Sequence, residues 1–244
     1  ADGLWYGGSL DGNSCHYDLL TIGGTDYLFM YLSNGVEATE RTVAWANAVC
    51  KAYPNRTVII CTHAYLSTKG NYISNPKEPN AYNHSRAYEI AELIIKPNPN
   101  VAAVLCGHEY GIGRVQRSFG DGRYVWEILS DYQYAEIGKE PMHESNGCSL
   151  DGEGYLRLIT FGENGLMEQT TYSPLHDDYN FFSDEQDTFA VTLQTAKGDV
   201  ILNTVKAAGY FEKATVTTLA PANGEDGDAS MGIWILVAAV LLAG

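Results

Sequence analysis

The sequence predicts a mixed α/β fold, and three observations carry that prediction. Val58–His63 and Val101–His108 are apolar, largely β-branched or small-residue runs that each end in a histidine. Such runs suit strands buried on both faces in the middle of a sheet. Between them, Ser85–Lys96 sets Ala87, Ile90, Ala91 and Ile94 at helical spacing and is stopped by Pro97 and Pro99. Strand, helix-bearing crossover and strand make a parallel unit, so both histidines should leave the same carboxyl edge of the sheet, where open α/β sheets bind ligands. His63 and His108 are therefore candidate metal ligands, because neutral imidazole is a common donor to transition metals.

The remaining elements follow in order. Residues 1–14 are rich in glycine and aromatics and read as an irregular lead-in. His16–Ile22 and Asp26–Leu32 flank Gly23-Gly24-Thr25, which predicts an antiparallel hairpin. Glu37–Ala52, followed by Tyr53, sets Val43, Ala46, Val49, Cys50 and Tyr53 on one face, an amphipathic helix ended by Pro54-Asn55. After His108 the chain reads as a loop, then as a strand over Arg123–Leu129 that runs into Ser130-Asp-Tyr-Gln133. Residues 134–152 are polar and read as a surface loop. Gly154–Phe161 and Leu166–Tyr172 form a second hairpin around Gly162-Glu-Asn-Gly165.

Composition shifts near Ser173-Pro174. Residues 176–220 carry weaker strand signals, Phe189–Leu193 and Val200–Leu202, and predict a small β-rich appendage or stalk. Residues 221–230 are a linker by composition. Met231–Gly244 is uncharged and almost wholly apolar. At about 14 residues it is shorter than the roughly 20 that span a bilayer. It is read as a truncated transmembrane anchor, with a core element as the other reading.

The 244 residues have material for one large domain. A net charge of −15 argues against nucleic acid as the main partner. Seventeen tyrosines, 25 glycines and few lysines fit a β-rich, loop-rich, secreted type of chain. Cys50, Cys61 and Cys106 read as small buried hydrophobes. Cys15 and Cys148 lie in Gly/Ser/Asn-rich stretches and could pair in an oxidising compartment. Asn55-Arg-Thr and Asn83-His-Ser match the glycosylation pattern.

Eight segments across residues 1–175 occur in one order: Trp5-Tyr-Gly-Gly-Ser, Tyr27-Leu-Phe-Met-Tyr-Leu, Val43-Ala-Trp-Ala-Asn-Ala-Val, Ile59-Ile-Cys-Thr-His-Ala-Tyr-Leu66, Val104-Leu-Cys-Gly-His108, Leu129-Ser-Asp-Tyr-Gln133, Gly154-Tyr-Leu-Arg-Leu-Ile-Thr-Phe161 and Thr171-Tyr-Ser-Pro174. This series resembles the C-terminal half of calcineurin-like metallophosphoesterases of the bacterial secreted or surface-anchored type. The resemblance implies part of an αββα sandwich over residues 1–175, followed by the β-rich appendage. It also implies that His63 matches the family's Thr-His ligand and His108 the first histidine of Gly-His-x-His, both on one of two divalent metals (Zn, Mn or Fe).

The sequence departs from that pattern. Tyr110 stands where the second histidine is expected, and the Asp-x-His, Gly-Asp-x-x-Asp and Gly-Asn-His-Asp/Glu motifs are absent. Asn83-His84-Ser85 does not supply the last, because it lacks the flanking glycine and acid and follows His63. The resemblance thus implies an incomplete or weak metal site in this chain, with no catalytic side chain assigned. The complete protein would hydrolyse a phosphorylated small molecule or a phosphodiester outside the cell or at its surface, held by the C-terminal segment. A catalytically inactive, surface-anchored binding module on the same scaffold is the alternative. A hydrolase of another kind, using either histidine as general base, finds no Gly-x-Ser-x-Gly nucleophile motif to support it.

Overall fold

The computed structural model describes residues 5–73, 86–120, 122–133, 153–196 and 234–235. It shows a mixed α/β chain in which sheet dominates and helices are few. Strands β1 (Tyr6–Leu10), β2 (Cys15–Ile22), β3 (Thr25–Tyr31), β4 (Thr57–Ala64), β5 (Val101–Gly107), β6 (Gly111–Gly120) and β7 (Arg123–Asp131) form one sheet in the order β1-β2-β3-β4-β5-β7-β6. The central four, β3, β4, β5 and β7, are mutually parallel, so their carboxyl ends share one edge. β2 and β6 run the other way, and the edge strand β1, antiparallel to β2, runs with the central four. The second sheet holds β8 (Leu156–Phe161), β9 (Leu166–Ser173), β10 (Asp178–Tyr179), β11 (Phe189–Thr192) and β12 (Trp234–Ile235).

Burial on both faces explains the apolar runs. One face of the large sheet packs Leu28, Met30, Val58, Ile60, Val101 and Val104 against Ala46, Val49 and Cys50 of helix α1 (Glu40–Ala52) and Ile90 of helix α2 (Ala87–Ile90). The other packs Tyr27, Phe29, Ile59 and Ala103 against Ile159, Phe161, Met167 and Val191 of the second sheet. Central strands with no polar face have no alternation to show.

Two elements correct the sequence reading. The lead-in holds β1, which pairs with β2 because Gly7 has no Cβ to meet the ring of Tyr17. The stretch after His108, read as a loop, is the ten-residue edge strand β6, hairpinned onto β7. Its alternating exposure is that of a strand with one wet face, but Gly111, Gly113, Arg114 and Arg117 hide the pattern in the sequence.

Smaller differences have local causes. Helix α1 begins at Glu40 because Thr39 caps it, accepting the Thr42 N–H on its hydroxyl. The crossover helix is α-helical only over α2 and continues as a π turn, Ala91–Ile95, in which Lys96 N–H donates to the Ala91 carbonyl. The wider turn buries Ile94 and Ile95 together and turns Leu93 outward. The β2–β3 turn has two residues, since Ile22 pairs with Thr25, and Gly23 and Gly24 both adopt positive φ as a type I′ turn demands. A side chain at Gly23 would also meet the Gly162 carbonyl.

Within residues 176–220, β11 pairs with β9, and Val191 and Leu193 enter the core between the sheets. Residues 197–220, including Val200–Leu202, the 134–152 loop, Asn83-His84-Ser85, Cys148 and the 221–230 linker lie outside the described residues. Of 231–244, only the backbone of Trp234–Ile235 is described, paired with Thr160 and Ile159 of β8. Cys15 is buried and free among the described residues. No helix among the described residues is long and apolar enough to cross a membrane.

Candidate metal centre at the carboxyl edge

The parallel arrangement brings His63 and His108 together. His63 is the penultimate residue of β4, and His108 follows the last residue of its neighbour β5. Their ring centroids are 4.6 Å apart with the planes tilted by 54°. Ligand distances near 2 Å place two such rings within reach of a single ion.

The backbone at His108 is unusual. Its φ of 74° lies in the left-handed region, which costs a residue with a Cβ about 1–2 kcal/mol. The conformation is held in part by Asp131, the last residue of β7, whose carboxylate accepts the His108 backbone N–H and also that of Gln133 at 2.9 Å. Asp131 thus fixes the turn from which His108 projects. Burial pushes its carboxyl above the usual range, opposed by the Gln133 N–H and the nearby imidazoles.

His63 is half-buried, and its Nδ1 is buried with no hydrogen-bond partner among the described residues. Burial lowers its pKa, and His108 lowers it further, while Asp131 acts the other way. The ring is therefore neutral at pH 7 and keeps a lone pair. Tyr110, which stands at the expected second histidine, is exposed. Among the described residues, no three His, Cys, Asp or Glu side chains are grouped to hold a metal ion.

Sequence reasoning placed the two histidines and assigned no role to Asp131. The signal was present, since Arg123–Leu129 is a third strand in the sequence reading and runs into Ser130-Asp131, at the edge it shares with β5. A second missed feature lies on the face toward the second sheet. There His16 stacks between Tyr6 and Tyr31, with centroids 6.2 and 4.4 Å away. Beside them Asp18 is buried, bonded to the Tyr31 hydroxyl, with its Oδ1 unpartnered among the described residues.

Burial raises the Asp18 pKa from about 4 to about 6, against the Tyr31 hydrogen bond that lowers it. The folded state therefore holds a proton that the unfolded chain has released, and stability falls as pH rises from about 4 through about 6. Two pKa units correspond to about 2–3 kcal/mol. Asp18→Asn should remove this fall and be more stable than wild type by about 1–3 kcal/mol at pH 7.5. Urea unfolding at pH 5 and 7.5 measures both, and equal pH dependence in the two proteins would refute the assignment.

No protein-family model matches the chain. Over 199 residues, the chain is 35% identical to the uncharacterized protein YvnB of Bacillus subtilis (strain 168). The alignment covers 77% of this chain, which spans 13% of the length of that curated relative.

Proposed function

We propose that this chain supplies part of the metal centre of a calcineurin-like phosphoesterase, with His63 and His108 as ligands to one divalent metal. The observation that carries the reading is the pair of imidazoles 4.6 Å apart at the carboxyl edge of the parallel strands, one with a buried, unpartnered Nδ1. A buried nitrogen without a partner costs free energy unless something bonds it, and a cation would. The ordered series of matching segments and the packing of one sheet on another support the same reading. The finer architecture, one half of an αββα sandwich, belongs to this proposal.

The donor set fits such an ion only in part. His63 and His108 would hold it, and the other ligands would come from outside the described residues. When bound, a divalent cation would polarise a phosphoryl oxygen of the substrate. The contribution of this chain is positional: β4 and β5 fix the two rings, and Asp131 holds the His108 backbone. The substrate would be a phosphorylated small molecule or a phosphodiester. Surface location and anchoring through residues 231–244 form part of the same proposal and rest on the apolar composition of that run, whereas the pairing of Trp234–Ile235 with β8 favours its other reading as a core element.

The alternative, an inactive binding module on this scaffold, is favoured by Tyr110 at the position of the second histidine. Calorimetric titration of the 244-residue chain with Zn2+ or Mn2+ tests the metal site, and turnover of a generic phosphate ester tests chemistry. Weak binding is expected, reduced at least tenfold by His63→Ala and by His108→Ala, with little or no turnover, because two ligands fall short of the usual four. Metal affinity that both variants leave unchanged would sink the centre. Robust turnover abolished by His108→Ala would show instead that the chain carries a complete site.

A further inference from the structure

A cleft of about 250 Å³ lies between the edge strand β6 and the second sheet, lined by Thr68, Ile112, Arg114, Arg157, Gln186 and Phe189, among others. Both arginines pack on the ring of Phe189, with guanidinium carbons 4.2 and 5.1 Å from its centroid. Two cations share one aromatic ring, in a chain whose net charge is −15.

Neither guanidinium has a carboxylate within ion-pair distance among the described residues. Arg157 is only 7% exposed, yet its Nε has no hydrogen-bond partner among those residues. Its other nitrogens donate to the Gln186 and Asp187 carbonyls and to the Tyr132 hydroxyl. The nearby carboxylate of Asp187 is already occupied by the Tyr132 hydroxyl and the backbone N–H groups of Phe182 and Ser183. Arg157 thus keeps a spare donor while the carboxylate nearest to it is engaged by other groups, and Arg114 shares the same ring with no acid of its own among the described residues.

We propose that this cleft binds the phosphate group of a ligand, with Arg114 and Arg157 as the charged donors and the Gln186 amide and Thr68 hydroxyl beside them. Guanidinium forks match phosphate oxygens in geometry as well as charge. The size agrees, because about 250 Å³ holds roughly eight waters and is smaller than the clefts that enclose whole drug-sized ligands. One phosphate group with a short substituent fits. The cleft shares the β6–β7 hairpin with Asp131, since its lining residues Gly113 and Leu129 pair two residues before that carboxylate. The site itself stands without the metal.

The test uses the full chain with chelator present, at constant ionic strength, titrated with inorganic phosphate and separately with glycerol phosphate. Binding is followed by calorimetry and by the arginine Nε–H resonances. Saturable binding is expected, with the Arg157 Nε–H signal shifting, and Arg114→Ala should weaken it about tenfold or more. Arg114 is exposed, so its removal should leave the fold intact, checked by an unchanged far-UV spectrum. The His63→Ala/His108→Ala double variant should bind phosphate as wild type does, whatever becomes of the metal reading. Tighter binding of glycerol phosphate would assign the site to the phosphate of an organic ester, and equal or weaker binding to free phosphate. No saturable binding, binding that Arg114→Ala does not change, or binding lost in the double histidine variant would each overturn the proposal.

Discussion

Replacing Glu127 by alanine is expected to lower the unfolding free energy by about 3–5 kcal/mol, because it breaks a buried ion pair from one side. Glu127 lies on β7, fully buried on the helix-covered face. Its Oε1 accepts the hydroxyls of Tyr65 at 2.8 Å and Tyr72 at 3.3 Å, and its Oε2 accepts Arg117 Nε at 2.7 Å. Burial raises its pKa while Arg117 and the two hydroxyls oppose the rise, so the carboxylate depends on these partners. Alanine would strand the Tyr65 hydroxyl in the core and leave Arg117 with the Gly70 carbonyl and the face of Tyr72.

The double variant Glu127→Leu/Arg117→Leu should recover much of that loss, since an apolar pair avoids the desolvation of two charges. Urea unfolding of the single and double variants measures the difference. A cost below about 1 kcal/mol for the single change would mean the carboxylate is not buried as described. The network also bears on the candidate metal centre. Tyr65 follows His63 by two residues and Glu127 precedes Asp131 by four, so Glu127 ties the exit of β4 to β7.

What could be read from the sequence, and what could not, follows from which groups carry a local signal. Val58–Cys61 of β4 and Val101–Cys106 of β5 are apolar throughout, so their burial and the common edge of His63 and His108 can be read from composition. The β2–β3 and β8–β9 hairpins are marked by glycines that the turn geometry requires. β6 is hidden because its inward positions include Gly113 and Arg117, and Arg117 is made compatible with partial burial by Glu127, the ring of Tyr72 and the Gly70 carbonyl, none of them adjacent in sequence. Asp131, Asp18 and Glu127 share this property. Each is an ordinary acid in the sequence, and only tertiary packing sets its burial and partners. The cleft of Arg114 and Arg157 is likewise the meeting of residues 43 apart in sequence on a third, Phe189, which belongs to neither hairpin.

The second large effect is expected at Asp187, where alanine should cost about 3 kcal/mol. Asp187 ends the single-turn helix α3 (Asp184–Asp187) and is fully buried. Its Oδ2 accepts the N–H groups of Phe182 and Ser183 at 2.5 and 2.9 Å, and its Oδ1 accepts the Tyr132 hydroxyl at 2.7 Å. Hydrogen bonds to a charged acceptor contribute about 1.5–3 kcal/mol each, and not all three donors would be left dry after truncation, since Phe182 and Ser183 are only partly buried. Tyr132 and Arg157 would remain in the interior, the arginine without the only carboxylate near it among the described residues. Asp187→Asn keeps one acceptor oxygen but turns an amide N–H2 toward groups that donate, so it should cost roughly half as much. If asparagine is as unstable as alanine, the charge and both acceptor oxygens are needed together, and if it is nearly neutral, a single uncharged acceptor oxygen suffices. Denaturant midpoints distinguish these outcomes, and an alanine variant that loses less than about 1 kcal/mol would show that α3 does not anchor the second sheet to β7.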